Sequence, residues 1–132
     1  MQLSKFTDYA FRALIYLAEH QDKLSTVEEL ASQLEVSEHH LKKVIHKLGT
    51  TDYVISLKGR GGGLKLGLPP EAINLGEVLK VTEDNLILVE CLGDGGHCTY
   101  AVKGCKLKGI ISQSLDKFVE EFGQYSLKDI ME

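Results

Sequence analysis

Ser37-Glu38-His39-His40-Leu41-Lys42-Lys43-Val44-Ile45-His46-Lys47-Leu48 is the stretch on which the fold of this chain turns. Leu41, Val44, Ile45 and Leu48 repeat at i, i+3, i+4 and i+7, which places them on one face of a helix. Ser37 can cap that helix by accepting a free backbone N–H. Glu38, His39, Lys42, Lys43 and His46 then face outward. Immediately upstream, Ser25-Thr26-Val27-Glu28 reads as a capping box, in which the Ser25 hydroxyl and the Glu28 carboxylate satisfy each other's backbone N–H groups. A short helix to about Leu34 follows, with Val27, Leu30, Ala31 and Leu34 inward. Two short helices joined by the tight turn at Glu35-Val36 make a helix-turn-helix candidate. The alternative is a generic helical hairpin.

Downstream, Tyr53-Val54-Ile55-Ser56-Leu57 and Leu64-Lys65-Leu66-Gly67-Leu68 read as strands, with Lys58-Gly59-Arg60-Gly61-Gly62-Gly63 between them. A hairpin that only has to turn needs one or two glycines. Four around one arginine let the backbone approach another surface closely. Arg60, Gly61 and Gly62 therefore suit a wing lying on a nucleic-acid backbone or in a minor groove. A phosphate loop is excluded, because the strand-loop-helix order and the Gly-Lys-Ser/Thr ending are both missing.

The chain of 132 residues has a formal net charge of -4, but the charge is uneven. Residues 36 to 68 hold six Lys and Arg against two Asp and Glu. Lys42, Lys43, Lys47, Lys58, Arg60 and Lys65 make the local excess that a phosphate-contacting surface needs. A merely solvated basic face is the alternative. Lys5, Asp8, Arg12 and Glu19 interrupt the apolar pattern of the first twenty residues, so neither a signal peptide nor a membrane-spanning helix is expected there. A cytoplasmic protein without a membrane partner is the expectation. No paired acid and base stands near the cysteine-bearing loop and no pocket-forming sheet is read, so an enzyme is not expected.

Phe6, Ala10, Ala13, Leu14 and Leu17 predict an amphipathic first helix from Thr7, taken as its cap, to His20. Pro69-Pro70 closes the second strand, and Asn74 with Glu77 can cap a short helix through Leu79. From Lys106 to Phe122 a long helix carries Leu107, Ile110, Ile111, Leu115, Phe118, Val119 and Phe122 in a stripe near the heptad spacing. A three-helix domain with a wing offers that stripe little cover, so it reads as a dimerisation helix. Packing onto its own domain is the alternative. The class expected is mainly α with a small β-hairpin: a winged helix-turn-helix over residues 1–70, a connecting helix and segment over 71–90, a loop over 91–105, and a dimerisation helix with C-terminal tail over 106–132.

All three cysteines, Cys91, Cys98 and Cys105, fall in that loop at a spacing of seven positions. An odd number in a reducing compartment argues against a disulfide framework. Cys105 stands at a helix start, where the dipole and free N–H groups favour a thiolate. Gly93, Gly95, Gly96 and Gly104 give the loop freedom to wrap. Three thiolates can hold three corners of an iron-sulfur cluster. Zinc competes, since His97 would complete a three-sulfur, one-nitrogen set, although close C-x2-C pairs are missing and ligands at 97 and 98 would strain a tetrahedron. Spacing alone leaves cluster and zinc open.

Phe6-Thr7-Asp8-Tyr9-Ala10-Phe11-Arg12-Ala13-Leu14-Ile15-Tyr16-Leu17-Ala18, Val36 to Ile45, Arg60 to Gly67 and the three-cysteine loop together resemble a family of winged-helix regulators. That family includes the nitric-oxide-sensing repressor NsrR and the cluster-assembly regulator IscR. The NsrR branch is nearer, because Lys108 stands where IscR-like members carry a histidine. The resemblance implies a homodimer on a double-stranded DNA operator and a 4Fe-4S or 2Fe-2S cluster held by Cys91, Cys98 and Cys105. It also implies Asp8, supplied by the partner subunit, as fourth ligand, with Arg12 nearby. Taken alone, Asp8 reads as a first-turn acid favoured by the helix dipole. Glu38 departs from the basic residue many relatives carry there, and the cysteine spacings depart from those of better-known members. The expected function is a transcription regulator, a repressor released by nitric oxide or a redox change. Its DNA contacts would be Ser37, Glu38, His39, His40, Lys42, Lys43, Arg60, Gly61 and Gly62. A relative that answers to iron-sulfur supply, thiol oxidation or a metabolite is the alternative.

Overall fold

Helical periodicity becomes five helices in the computed structural model, which describes residues 1–93, 96–100 and 103–132. They are α1 (Lys5–Glu19), α2 (Val27–Leu34), α3 (Glu38–Gly49), α4 (Leu75–Thr82) and α5 (Lys106–Phe122), with strands β1 (Val54–Leu57) and β2 (Gly63–Leu66) between α3 and α4. The strands pair antiparallel from Val54 opposite Leu66 to Leu57 opposite Gly63. The chain is thus mainly helical with one small hairpin, a winged helix-turn-helix extended by a long C-terminal helix.

Ala10, Ala13, Leu14 and Leu17 of α1, Leu30 of α2, Leu41, Val44 and Leu48 of α3 and Leu64 of β2 are all buried in one core. Burying a side chain of this size is worth about 1.5–3 kcal/mol, so this shared core fixes α3 against α1 and the wing. Glu35 ends α2 in the left-handed region at φ 55, with the N–H of Val36 donating to the Ala31 carbonyl at 3.0 Å. This is a helix-ending turn in which glycine is the usual residue.

Two caps differ from expectation. α1 begins two residues before Thr7, with Ser4 as its cap, and Thr7 is fully buried. The cap of α2 is Thr26, whose hydroxyl accepts the Glu29 N–H at 3.1 Å, in place of the Ser25–Glu28 pair. The cause is tertiary: Ser25 exchanges backbone hydrogen bonds with Leu64 at 3.0 and 2.7 Å, so it is extended and held by the wing. The second strand stops at Leu66, where the chain bends at Gly67; the Gly67 N–H still donates across the hairpin to the Tyr53 carbonyl at 2.9 Å, and a Cβ on Gly67 would lie 2.2 Å from the Asp52 carbonyl oxygen. α4 runs three residues past Leu79.

α5 has the predicted limits and no fully buried residue. Its C-terminal end is anchored. Gly123 touches Gly76 of α4 so closely that a Cβ on Gly76 would lie 2.8 Å from the Gly123 Cα, and the Asn74 side-chain amide donates to the Gly123 carbonyl at 2.8 Å. Phe122 meets Phe11 of α1 with ring centroids 6.0 Å apart. Beyond it, Leu127 is fully buried, and Asn74 forms a bridge with Ser126. Ile73, Leu75, Val78 and Leu127 join the same core as α1 to α3, so packing runs across the boundaries expected at residues 70 and 106. Among the described residues, no helix is long and apolar enough to cross a membrane.

Candidate DNA-reading face and cysteine loop

α3 presents Glu38, His39, Lys42, Lys43, His46 and Lys47 to solvent, while Ser37 caps it by accepting the His40 N–H at 3.3 Å. Lys42 pairs with Glu38 one turn earlier at 3.2 Å, an exposed contact of small energetic weight. His40 differs from its neighbours. It is half-buried, edge-on to the Tyr9 ring at 4.9 Å and tilted against Phe6 at 6.4 Å.

The wing tip is a tight turn closed by the Gly62 N–H on the Gly59 carbonyl at 3.0 Å, with Arg60 exposed between them. Gly59 and Gly61 have φ of 94° and 77°, which disfavours any side chain there. At Gly62 the constraint is space, since a Cβ would sit 2.1 Å from the Leu57 carbonyl oxygen. The tip therefore offers one guanidinium and bare backbone N–H groups, suited to a phosphate backbone.

Cys91 lies in a short 3-10 turn, Glu90–Leu92; Cys98 follows in the next stretch, and Cys105 is the N-cap residue of α5. All three are free and half-buried. Among the described residues no side chain caps α5. Gly96 brings the returning chain onto the Cys91 turn, where a Cβ would meet the Glu90 carbonyl oxygen and, at 3.0 Å, the Cys91 Cα. Gly95, one of the glycines expected to let the loop wrap, lies outside the described residues, as do 94, 101 and 102. His97 and Glu90 line an open groove with Ile87, Gly93 and Gly96. Among the described residues no three His, Cys, Asp or Glu side chains are gathered into a metal-holding group, so the cysteines share a loop without converging. Three soft thiolates on one wrapped loop still fit an iron-sulfur cluster by donor type. Such sites commonly close only when the metal arrives.

Asp8 stands one turn into α1, with its two oxygens on Arg12 at 3.1 and 3.0 Å. Arg12 in turn lies 5.9 Å from the Tyr9 ring centroid. The Asp8 carboxylate is about half exposed and is not joined to the cysteines of its own chain.

One further residue escaped sequence reasoning. Glu83, just past α4, accepts from the Ser4 N–H at 3.1 Å, the Ser4 hydroxyl at 3.1 Å and the Thr7 hydroxyl at 2.6 Å. Partial burial pushes its carboxyl up, but the donors of Thr7 and Ser4 outweigh that and hold it below the usual glutamate range. No local pattern marks a cap acceptor that arrives from 79 residues away.

A buried core that positions an exposed basic helix beside a glycine-tipped wing defines a winged-helix DNA-binding protein. The Rrf2 family model, described as an iron-dependent transcriptional regulator, matches residues 3–132, and the chain belongs to that family. It is 42% identical to the HTH-type transcriptional regulator NsrR of Shouchella clausii, over 99% of this chain and 89% of that one. With NsrR of Bacillus subtilis the identity is 39%, over 99% and 90%. Among solved structures, CymR, the global cysteine regulator of B. subtilis, superposes with a TM-score of 0.74 at 26% identity, covering 98% of this chain and 95% of that one. IscR of T. potens has the same fold, with a TM-score of 0.74, 21% identity and coverage of 98% and 85%. The protein is a DNA-binding transcriptional regulator, not an enzyme.

Proposed function

We propose that this regulator is a cytoplasmic homodimeric repressor whose iron-sulfur cluster reports nitric oxide or redox state. The observation that carries the reading is the set of three free, half-buried cysteines on one short loop ending at the uncapped start of α5. The NsrR relatives point the same way. Cys91, Cys98 and Cys105 would hold the cluster, with Asp8 of the partner subunit as the fourth donor. When bound, the cluster supplies a centre that reacts with small diatomic molecules and oxidants.

This chain's own residues do the rest. Leu107 and Ile110 are each 60% exposed on α5, and with Ile111, Leu115 and Phe118 they form an apolar stripe for a second copy. Phe122, packed on Phe11, buttresses the helix from within its own subunit. Lys42, Lys43, His39 and Glu38 are available to base edges in the major groove, Ser37 to a phosphate at the start of α3, and Arg60 with Gly61 and Gly62 to the adjacent backbone. His40 sets the angle of α3. A carboxylate oxygen is the hardest donor of the proposed set and the easiest to displace. Its release would return Asp8 to Arg12 and bias the geometry of the dimer.

Protein purified without oxygen tests the reading through its visible spectrum, iron and acid-labile sulfide content, and a gel shift before and after nitric oxide. Brown protein that binds an operator and loses it with the gas is expected, as is loss of iron, sulfide and cluster-dependent affinity in Cys98→Ala. Iron content unchanged in that variant overturns the ligand assignment. Colourless protein that binds DNA only with reduced thiols supports the second reading, thiol-based regulation, which the free cysteines and the likeness to CymR favour.

A further inference from the structure

Helix α1 carries Asp8, and its first turn is closed in an unusual way. In a capping box the residue three after the cap reaches back to the cap's own N–H. Here that residue is Thr7, which is too short, and Glu83 does the work from the end of α4. One oxygen of Glu83 receives the Ser4 N–H, the Ser4 hydroxyl and the Thr7 hydroxyl, while the Ser4 hydroxyl also accepts the Thr7 N–H at 3.2 Å. The next bond along is the first of the helix, the Asp8 N–H to the Ser4 carbonyl at 3.1 Å. Glu83 is also the residue at which α4 ends and the chain departs toward Cys91.

We propose that Glu83 is a positioning residue for the cluster site: by clamping the start of α1 to the end of α4, it holds Asp8 at a fixed offset from the entry to the cysteine loop. The inference rests on the cluster reading above. In a two-fold dimer whose Asp8 residues cross to the partner's loop, each Glu83 fixes the donor that its subunit gives and the loop with which it receives. With its Oε2 committed to three donors, Glu83 acts through the geometry of Asp8 and not as a ligand. Groups that orient ligands commonly change metal affinity by about 10–100-fold when removed.

The test is a double-mutant cycle in the full-length, anaerobically loaded protein: Glu83→Ala in the natural and Asp8→Ala backgrounds, read by the rate of absorbance loss in the presence of an iron chelator. With Asp8 present, Glu83→Ala should speed the loss about tenfold, and Glu83→Gln, which keeps an acceptor oxygen, should restore most of the difference. In the Asp8→Ala background the same change should have almost no effect. Thr7→Val removes the shortest donor at nearly constant volume, is expected to act in the same direction, and carries the cycle if Glu83→Ala fails to fold. The thermal midpoint of the cluster-free proteins separates stability from positioning. An equal acceleration with and without Asp8, or a lower midpoint with an unchanged rate, overturns the proposal. Natural protein that takes up no iron and sulfide overturns the cluster reading itself, and that result appears before any variant is compared.

Discussion

Tyr9 and His40 meet edge to face, with ring centroids 4.9 Å apart and planes at 61°, joining the first half of α1 to the start of α3. Tyr9 also lies beneath Arg12, the residue that holds Asp8. An aromatic pair of this kind contributes about 0.5–1.5 kcal/mol beyond simple burial. Tyr9→Ala should therefore cost about 1–3 kcal/mol in urea unfolding and weaken operator binding, whereas Tyr9→Phe should leave both within about 0.5 kcal/mol. Wild-type affinity in Tyr9→Ala would show that α3 needs no support from this ring.

Arg60 stands exposed at the wing tip, and among the described residues no acid is paired to it. Its replacement by Ala should weaken operator binding and reduce the slope of log affinity against log salt by about one, while the far-ultraviolet spectrum stays unchanged. Gel shifts over a salt series measure this. An unaltered slope would remove the wing from the phosphate contacts.

Leu107 and Ile110 are exposed in the monomer, so charging them should spare the fold and strike the assembly. Ile110→Lys should change unfolding of the isolated chain by no more than about 0.5 kcal/mol. Sedimentation should show a dimer for the natural protein and a monomer for this variant. A dimer that survives this change places the interface elsewhere.

Glu83 also predicts an acid response. Its folded-state carboxyl is held below the ordinary value of 4.5, so the stability contributed by its charge is complete above 4.5. That contribution fades as pH falls through 4.5 toward the lower folded value. Replacement by Ala should cost about 1.5–3 kcal/mol at neutral pH, the range for hydrogen bonds to a charged group. Urea unfolding of Glu83→Gln should then lose less stability than the natural protein between pH 5 and about 3. Equal acid slopes in the two proteins would show that the charge contributes nothing.

Much of the fold was legible because it rests on local rules. Apolar spacing in α3 and α5, the Ser37 and Asn74 caps and the glycine cluster between the strands each report a choice made within a few residues. Cysteine grouping was legible too, but that the three do not converge was not, because no spacing states whether a loop closes on itself.

By itself, then, the sequence determined the order of helices and wing, the basic face of α3 and the grouping of three cysteines in one loop, all properties of periodicity and residue type. Tertiary structure alone decided the rest. It moved the cap of α2 from Ser25 to Thr26 because the wing claims the Ser25 backbone, turned His40 inward onto Tyr9, and buried Leu127 beside Ile73. It also brought Glu83 from the end of α4 onto Ser4, the cap of α1, and onto Thr7. Each of these joins residues distant in the chain, and such contacts form only when burial of the common core brings their elements together.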